Sequence, residues 1–134
     1  MSSHDVFKNA NVLVTGINGF IGANLAKMLI SVGAHVIGLA KSERFDGVLG
    51  TDEKLLKSVK MYKGSITDGA LVFSIVADEN IDFIFHLAAQ VEVGVALANP
   101  LATWQSNIVG TFNVLEAARL HAPNLKSVVL ASTD

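Results

Sequence analysis

Gly16-Ile17-Asn18-Gly19-Phe20-Ile21-Gly22 places glycines three residues apart, and the residues on either side give this stretch its place in a fold. Before it, Asn11 to Thr15 (NVLVT) is a β-branched apolar run that stops at Gly16, the pattern of a buried strand. After it, Ile21, Leu25, Met28, Leu29 and Val32 recur at helical spacing from Phe20, and Gly33 follows as a C-terminal stop. Such a strand-loop-helix junction suits a pyrophosphate. Gly16 allows the tight turn, Gly19 lets a phosphate approach the backbone, and Gly22 lets the helix pack closely. The helix N-terminus adds free N–H groups and a partial positive charge. The whole loop, Gly16, Asn18, Gly19, Phe20, Ile21 and Gly22, is therefore assigned to a dinucleotide cofactor.

Outward from the loop, strands and helices alternate. His35–Ala40 (HVIGLA), Val59–Lys63 (VKMYK), Ile81–Leu87 (IDFIFHL) and Lys126–Ala131 (KSVVLA) read as further strands. A helix is expected from about Asp68 to Glu79, capped by Thr67 or Asp68. Another runs from Pro100 through Leu120, with Pro123 beyond its end. Lys41 to Lys57 is polar and reads as a loop with one helical turn. The expected fold is α/β, a doubly wound parallel sheet (Rossmann) with strand order 3-2-1-4-5, lacking its last strand, with residues 1–134 forming one incomplete domain.

Composition agrees with that class. Of 134 residues, 51% are apolar and 16% charged, as a sheet buried on both faces requires. The net charge of −2 gives no basic footprint for nucleic acid. No apolar run approaches a bilayer span, no signal-peptide pattern opens the chain, and a cytoplasmic location is the default. Without cysteine there is no disulfide or thiolate chemistry, and no metal-ligand set is spaced along the chain.

The string Thr15-Gly16-Ile17-Asn18-Gly19-Phe20-Ile21-Gly22 resembles the T-G-x-x-G-F-I-G signature of the extended short-chain dehydrogenase/reductase family, which includes sugar-nucleotide epimerases and dehydratases. His86-Leu87-Ala88-Ala89-Gln90 resembles that family's H-x-A-A-x stretch, and Asn107-Ile108-Val109-Gly110-Thr111 its N-x-x-G-T helix. Ala131-Ser132-Thr133-Asp134 is similar to the end of the fifth strand in sugar-nucleotide 4,6-dehydratases. The resemblance implies that Leu87, Ala88 and Ala89 lie along the cofactor and that Asn107 supports the site backbone. Gly64-Ser65-Ile66-Thr67-Asp68 is similar to G-D-(I/L)-x-D, which implies that Ser65 and Ile66 stand near the adenine, with Ser65 in place of the usual Asp. Thr133 and Asp134 match catalytic positions. The family's Y-x-x-x-K would lie past Asp134, and the only tyrosine, Tyr62, is expected to be structural. The chain alone is therefore expected to be inactive, the cofactor-holding part of an epimerase/dehydratase acting on a nucleotide sugar. The alternatives are a non-catalytic NAD(P)-binding module or sensor, and a degenerate remnant.

At the end of the second strand an acid would favour NAD. Ala40, Lys41 and Ser42 stand there with Arg44 behind, so the cofactor is NAD or NADP with a lean to NADP through Lys41 and Arg44. Val95 and Ala96 occupy positions where dehydratases usually carry a basic residue and a serine, in a stretch read as packing. His86 reads as structural. Trp104 and Phe112 share a helix side and are assigned to core or subunit interface, and a homo-oligomer is expected through that helix or through an unpaired fifth strand.

Overall fold

The computed structural model describes Ser2, residues 4–42 and residues 47–132, the side chain of Val48 excepted. Arg44, Thr133 and Asp134 lie outside the described residues. A 3-10 turn at Asp5–Phe7 precedes β1 (Asn11–Thr15), α1 (Phe20–Ser31), β2 (His35–Ala40), α2 (Val48–Thr51), α3 (Glu53–Lys57) and β3 (Val59–Lys63). Then follow α4 (Gly69–Asp78), β4 (Phe83–His86), α5 (Val93–Ala98), α6 (Pro100–Trp104), a π-helical turn (Gln105–Val109), α7 (Gly110–His121) and β5 (Ser127–Leu130). The sheet order is β3-β2-β1-β4-β5, and every pairing is parallel. This is the expected order and class.

Period-two alternation along β1 divides the core. Val12 and Val14 join Val36 and Phe83 beneath Ala23, Ala26 and Leu29 of α1. Leu13 joins Ile37, Leu39 and Ile84 beneath α4 (Val72, Ile75, Val76) and α7 (Val114, Ala117, Ala118) on the other face. Each fully buried Val, Leu or Ile is worth about 1.5–3 kcal/mol, so the central strands dominate the stability. Alanines on α1 and α7 bring those helices close to the sheet. Gly33 ends α1 as read, with φ +85° and its N–H donating to the Ile30 carbonyl. Asp68 caps α4, its carboxylate accepting from the Leu71 N–H at 3.1 Å.

Several elements differ from the sequence reading. The segment after β2 holds two short helices rather than one turn. Asp52 caps α3 by accepting from the Leu55 N–H at 2.9 Å, and Leu49 and Leu55 are buried in the α1-side core. Val93–Ala98 is helical, though none of its residues is buried. The long helix starts at Pro100, capped by the Asn99 carboxamide, but it widens into a π turn at Gln105–Val109 before continuing. β4 and β5 are shorter than read, at four residues each. Trp104 and Phe112 are not core: they are 65% and 61% exposed.

Candidate functional site

The carboxyl ends of β1, β2, β3 and β4 open on one cleft of about 240 Å³, lined by Gly16, Asn18, Leu39, Ala40, Lys41, Gly64, Ile66, Ala88, Ala89, Gln90 and Ser106. It lies where the chain order reverses between β1 and β4, the place at which open α/β sheets take ligands.

The glycine loop forms one wall. Gly16 turns the chain at φ +68°, a conformation open to glycine at little cost, and a Cβ there would stand 2.9 Å from the Ala88 nitrogen. At Gly22 a Cβ would stand 2.3 Å from the Gly16 carbonyl oxygen and 2.8 Å from Ile17 Cα. The third glycine therefore lets α1 close on its own loop, rather than on the sheet alone. Gly19 differs from both. Its backbone is extended (φ −76°, ψ 171°), and a Cβ would meet only the Gly16 oxygen at 3.3 Å. A Cβ at Gly19 thus asks its neighbour to give by only a few tenths of an ångström, while at Gly16 and Gly22 it would collide with backbone.

Helix α1 begins without a capping side chain and without an acid in its first turn. By contrast, α3, α4 and α6 are capped by Asp52, Asp68 and Asn99. The positive end of α1 is thus available to an anion. Phe20 and Ile21, assigned to the cofactor from sequence, are 84% and 66% exposed and do not line the cleft.

Opposite the loop, Lys41 donates from Nζ to Ser106 Oγ at 3.3 Å, joining the end of β2 to the π turn. Ile66 forms part of the floor, its carbonyl held by Asn113 Nδ2 at 2.9 Å. Gly110 packs so closely on Ile66 that a Cβ there would stand 2.4 Å from Ile66 Cδ1. Ser65 turns the other way, its hydroxyl paired with Thr67 Oγ1 at 2.7 Å and accepting from the Thr67 N–H. Gly64 and Ile66, not Ser65, line the cleft.

The Leu87–Gln90 wall is held from two sides. Thr15, fully buried at the end of β1, accepts from the Leu87 and Ala88 N–H groups through Oγ1 at 3.1 and 3.2 Å. Asn107 accepts from the Gln90 N–H at 2.7 Å and donates to the Gln90 carbonyl at 3.0 Å. Asn107 is a clamp on the wall rather than part of its surface. His86, 4% exposed, lies at 2.7 Å (Nδ1) from Thr15 Oγ1 and at 3.0 Å (Nε2) from Thr111 Oγ1. Burial holds its pKa below the ordinary 6.5. Tyr62 is remote, on the outer strand β3. Its hydroxyl donates to Glu79, and that hydrogen bond raises the phenol pKa, opposite to what a base needs. Leu39, Gly64, Gln90 and Ser106 line the cleft in addition to the residues assigned to the cofactor from sequence.

The fold and cleft define an α/β protein of the doubly wound, Rossmann class. Residues 13–134 match the family model described as GDP-mannose 4,6 dehydratase. The chain belongs to that family, the epimerase/dehydratase branch of the extended short-chain dehydrogenases/reductases. It is 36% identical over 124 residues to dTDP-glucose 4,6-dehydratase of Mycolicibacterium smegmatis (strain ATCC 700084 / mc(2)155), covering 92% of this chain and 36% of that protein. Among solved structures, it superposes on UDP-glucose 4-epimerase with UDP-glucose from Thermotoga maritima at TM-score 0.80 and 29% identity, covering 92% of this chain and 38% of that one. On the Bordetella bronchiseptica enzyme WbmF in complex with NAD+, the values are TM-score 0.78 and 32%, covering 93% and 36%. The chain spans little more than a third of the length of these proteins.

Proposed function

We propose that this chain holds NAD or NADP in the cleft between the glycine loop and the Leu87–Gln90 wall, as the cofactor-binding part of an oxidoreductase of the epimerase/dehydratase type acting on a nucleotide sugar. One observation carries the reading: the first turn of α1, with neither cap nor acid, opens beside a glycine whose missing Cβ leaves space for a pyrophosphate. The family, and the NAD+ bound by a neighbour of similar fold, support the choice of dinucleotide. Bound there, the dinucleotide supplies a hydride acceptor. The chain's own residues position it: Gly16 to Gly22 receive the phosphates, Ala40 and Lys41 meet a ribose, Ile66 the adenine, and Ala88 and Ala89 the remaining length. Ser65 supports the Gly64–Ile66 turn. Thr133 and Asp134 are assigned catalytic roles by sequence match, and Arg44 a place behind Lys41. The proton-abstracting pair of the reaction is assigned to sequence outside these residues.

Calorimetric titration tests the reading. Saturable binding of NAD+ or NADP+ is expected, and the absence of both at millimolar concentration contradicts it. Lys41 makes the finer choice. With no carboxylate at the end of β2 to engage ribose hydroxyls, its ammonium favours a 2′-phosphate. Lys41→Glu is expected to weaken NADP+ by about tenfold or more, roughly one charge-assisted hydrogen bond, while changing NAD+ by less than about threefold. Equal losses for both dinucleotides would remove Lys41 from that role.

Self-association is proposed through α6 and α7. Leu101, Trp104, Ile108, Phe112 and Leu115 recur at helical spacing and are all exposed. The opposite side of α7 is spent on the core. Trp104→Asp with Phe112→Asp is expected to convert a dimer to a monomer in sedimentation velocity. A parent protein that is monomeric at high concentration contradicts this proposal.

A further inference from the structure

Four side chains tie the strand end ahead of the glycine turn to the opposite wall of the cleft, and their donors and acceptors can be assigned in order. Thr15 Oγ1 accepts from two backbone N–H groups, Leu87 and Ala88, so its single proton goes to His86 Nδ1. His86 Nδ1 is then an acceptor, and Nε2 carries the ring proton, which it donates to Thr111 Oγ1. Thr111 donates its own proton to the backbone carbonyl oxygen of Asn107, one helical turn back, at 2.8 Å. Asn107 grips both backbone groups of Gln90. The chain runs in one direction, and each hydroxyl proton has one destination.

We propose that His86, as the neutral Nε2–H tautomer, is a positioning residue for the dinucleotide cleft, keeping Thr15 and Asn107 in register so that the Leu87–Gln90 wall stays set against the glycine turn. This inference rests on the cofactor reading above. Its consequence follows from proton counting. An imidazolium has no acceptor, so protonation removes the partner of the Thr15 hydroxyl proton. The hydroxyl must then rotate and give up a backbone N–H. The same Ala88 nitrogen lies against Gly16, where even a Cβ would not fit, so the wall and the turn shift together.

Among the described residues, few charged groups compete for control of the ring. Strands β1, β4 and β5 carry no Asp, Glu, Lys or Arg. Lys41, just past β2, donates to Ser106 of the π turn; on α7, Glu116 and Arg119 pair with each other, and the His121 ring lies tilted against Phe73. Burial alone lowers the His86 pKa. Below about pH 6.5 the unfolded chain takes up a proton at this position that the folded one refuses, so folding stability falls as pH drops toward the folded pKa. Dinucleotide affinity is expected to fall further down, as the pH reaches the lowered folded-state pKa and the ring in the folded protein takes its proton.

The test compares the wild type with His86→Asn, whose Oδ1 can stand where Nδ1 stood and accept from Thr15, and with His86→Ala. Nitrogen-proton NMR of the wild-type ring reads the tautomer without any ligand. Titration of NAD+ and NADP+ from about pH 8 to about pH 5 reads the coupling. The expected results are an Nε2–H ring, an affinity in the wild type that holds down to about pH 6.5 and falls only below it, and a flat profile in His86→Asn. His86→Ala should lose about tenfold at pH 8, the value of a lost buried hydrogen bond. An Nδ1–H ring, or a His86→Asn profile that falls in parallel with the wild type, overturns the proposal whether or not His86→Ala folds. No binding at any pH, with the Nε2–H ring in place, overturns it through failure of the cofactor reading.

Discussion

Gly19→Val is expected to lower dinucleotide affinity by about a hundredfold or more, roughly 2.7 kcal/mol, while leaving the fold nearly as stable as before. The two halves of that expectation have separate causes. The backbone at Gly19 is extended, and a Cβ there meets a single neighbour, the Gly16 oxygen at 3.3 Å, a tight contact relieved by a shift of a few tenths of an ångström. Valine is a poorer helix N-cap than glycine, which costs about 1 kcal/mol or less. That corresponds to a few degrees in Tm for a domain of this size. The branched side chain, however, occupies the space a pyrophosphate needs in order to reach the first-turn N–H groups of α1. Calorimetry with either dinucleotide, beside a thermal melt of the free protein, separates the two effects. Retained affinity with an unchanged melt would place the phosphates elsewhere.

Gly22→Val is expected to behave in the opposite way and to damage the fold itself. Its Cβ would sit 2.3 Å from the Gly16 oxygen and 2.8 Å from Ile17 Cα, both atoms of a backbone held by the turn. Gly16 in turn donates to the Leu39 carbonyl at 3.0 Å and accepts from the Gly19 N–H at 3.0 Å, so it cannot withdraw alone. Overpacking typically costs 1–3 kcal/mol where side chains can give way. Here only backbone can, and about 3 kcal/mol or more is expected, roughly 10 °C or more in Tm. Far-ultraviolet circular dichroism melts measure it directly. A Gly22→Val protein that melts with the wild type would show that α1 does not close on the loop in this way.

The contrast between these two glycines shows what could be read before the fold was known. Their spacing in sequence suggested a phosphate loop, and the apolar runs on either side placed the stretch between β1 and α1, where it lies. Strand order was legible too, because β1, β2 and β4 are nearly continuous apolar runs and the crossovers have one handedness. The division of labour was not legible, since it depends on which backbone atoms come within 3 Å of a missing Cβ. Helices α2 and α3 were hidden because Leu49 and Leu55 sit in short apolar pairs (Val48-Leu49 and Leu55-Leu56) within a polar stretch, too brief to show a helical period, and only the α1-side core gives them a reason to be buried. The π turn was invisible for a related cause. It carries Asn107, whose clamp on Gln90 is a contact across 17 positions with no periodic signature. Lys41 and Ser106 meet across 65 positions, and Thr15 and His86 across 71. Of the cleft, sequence therefore marked the loop and much of the lining but not the bonds that hold the walls together.

The central claim is that a dinucleotide lies between the Gly16–Gly22 loop and the Leu87–Gln90 wall. The most direct measurement is a backbone amide NMR titration of the protein with NAD+ and with NADP+. The predicted result is a saturable set of shifts concentrated at Gly16 to Gly22, Lys41, Ile66 and Ala88 to Gln90, with little change on β3 around Tyr62. The absence of shifts at millimolar dinucleotide, or a set centred away from the glycine loop, would contradict it.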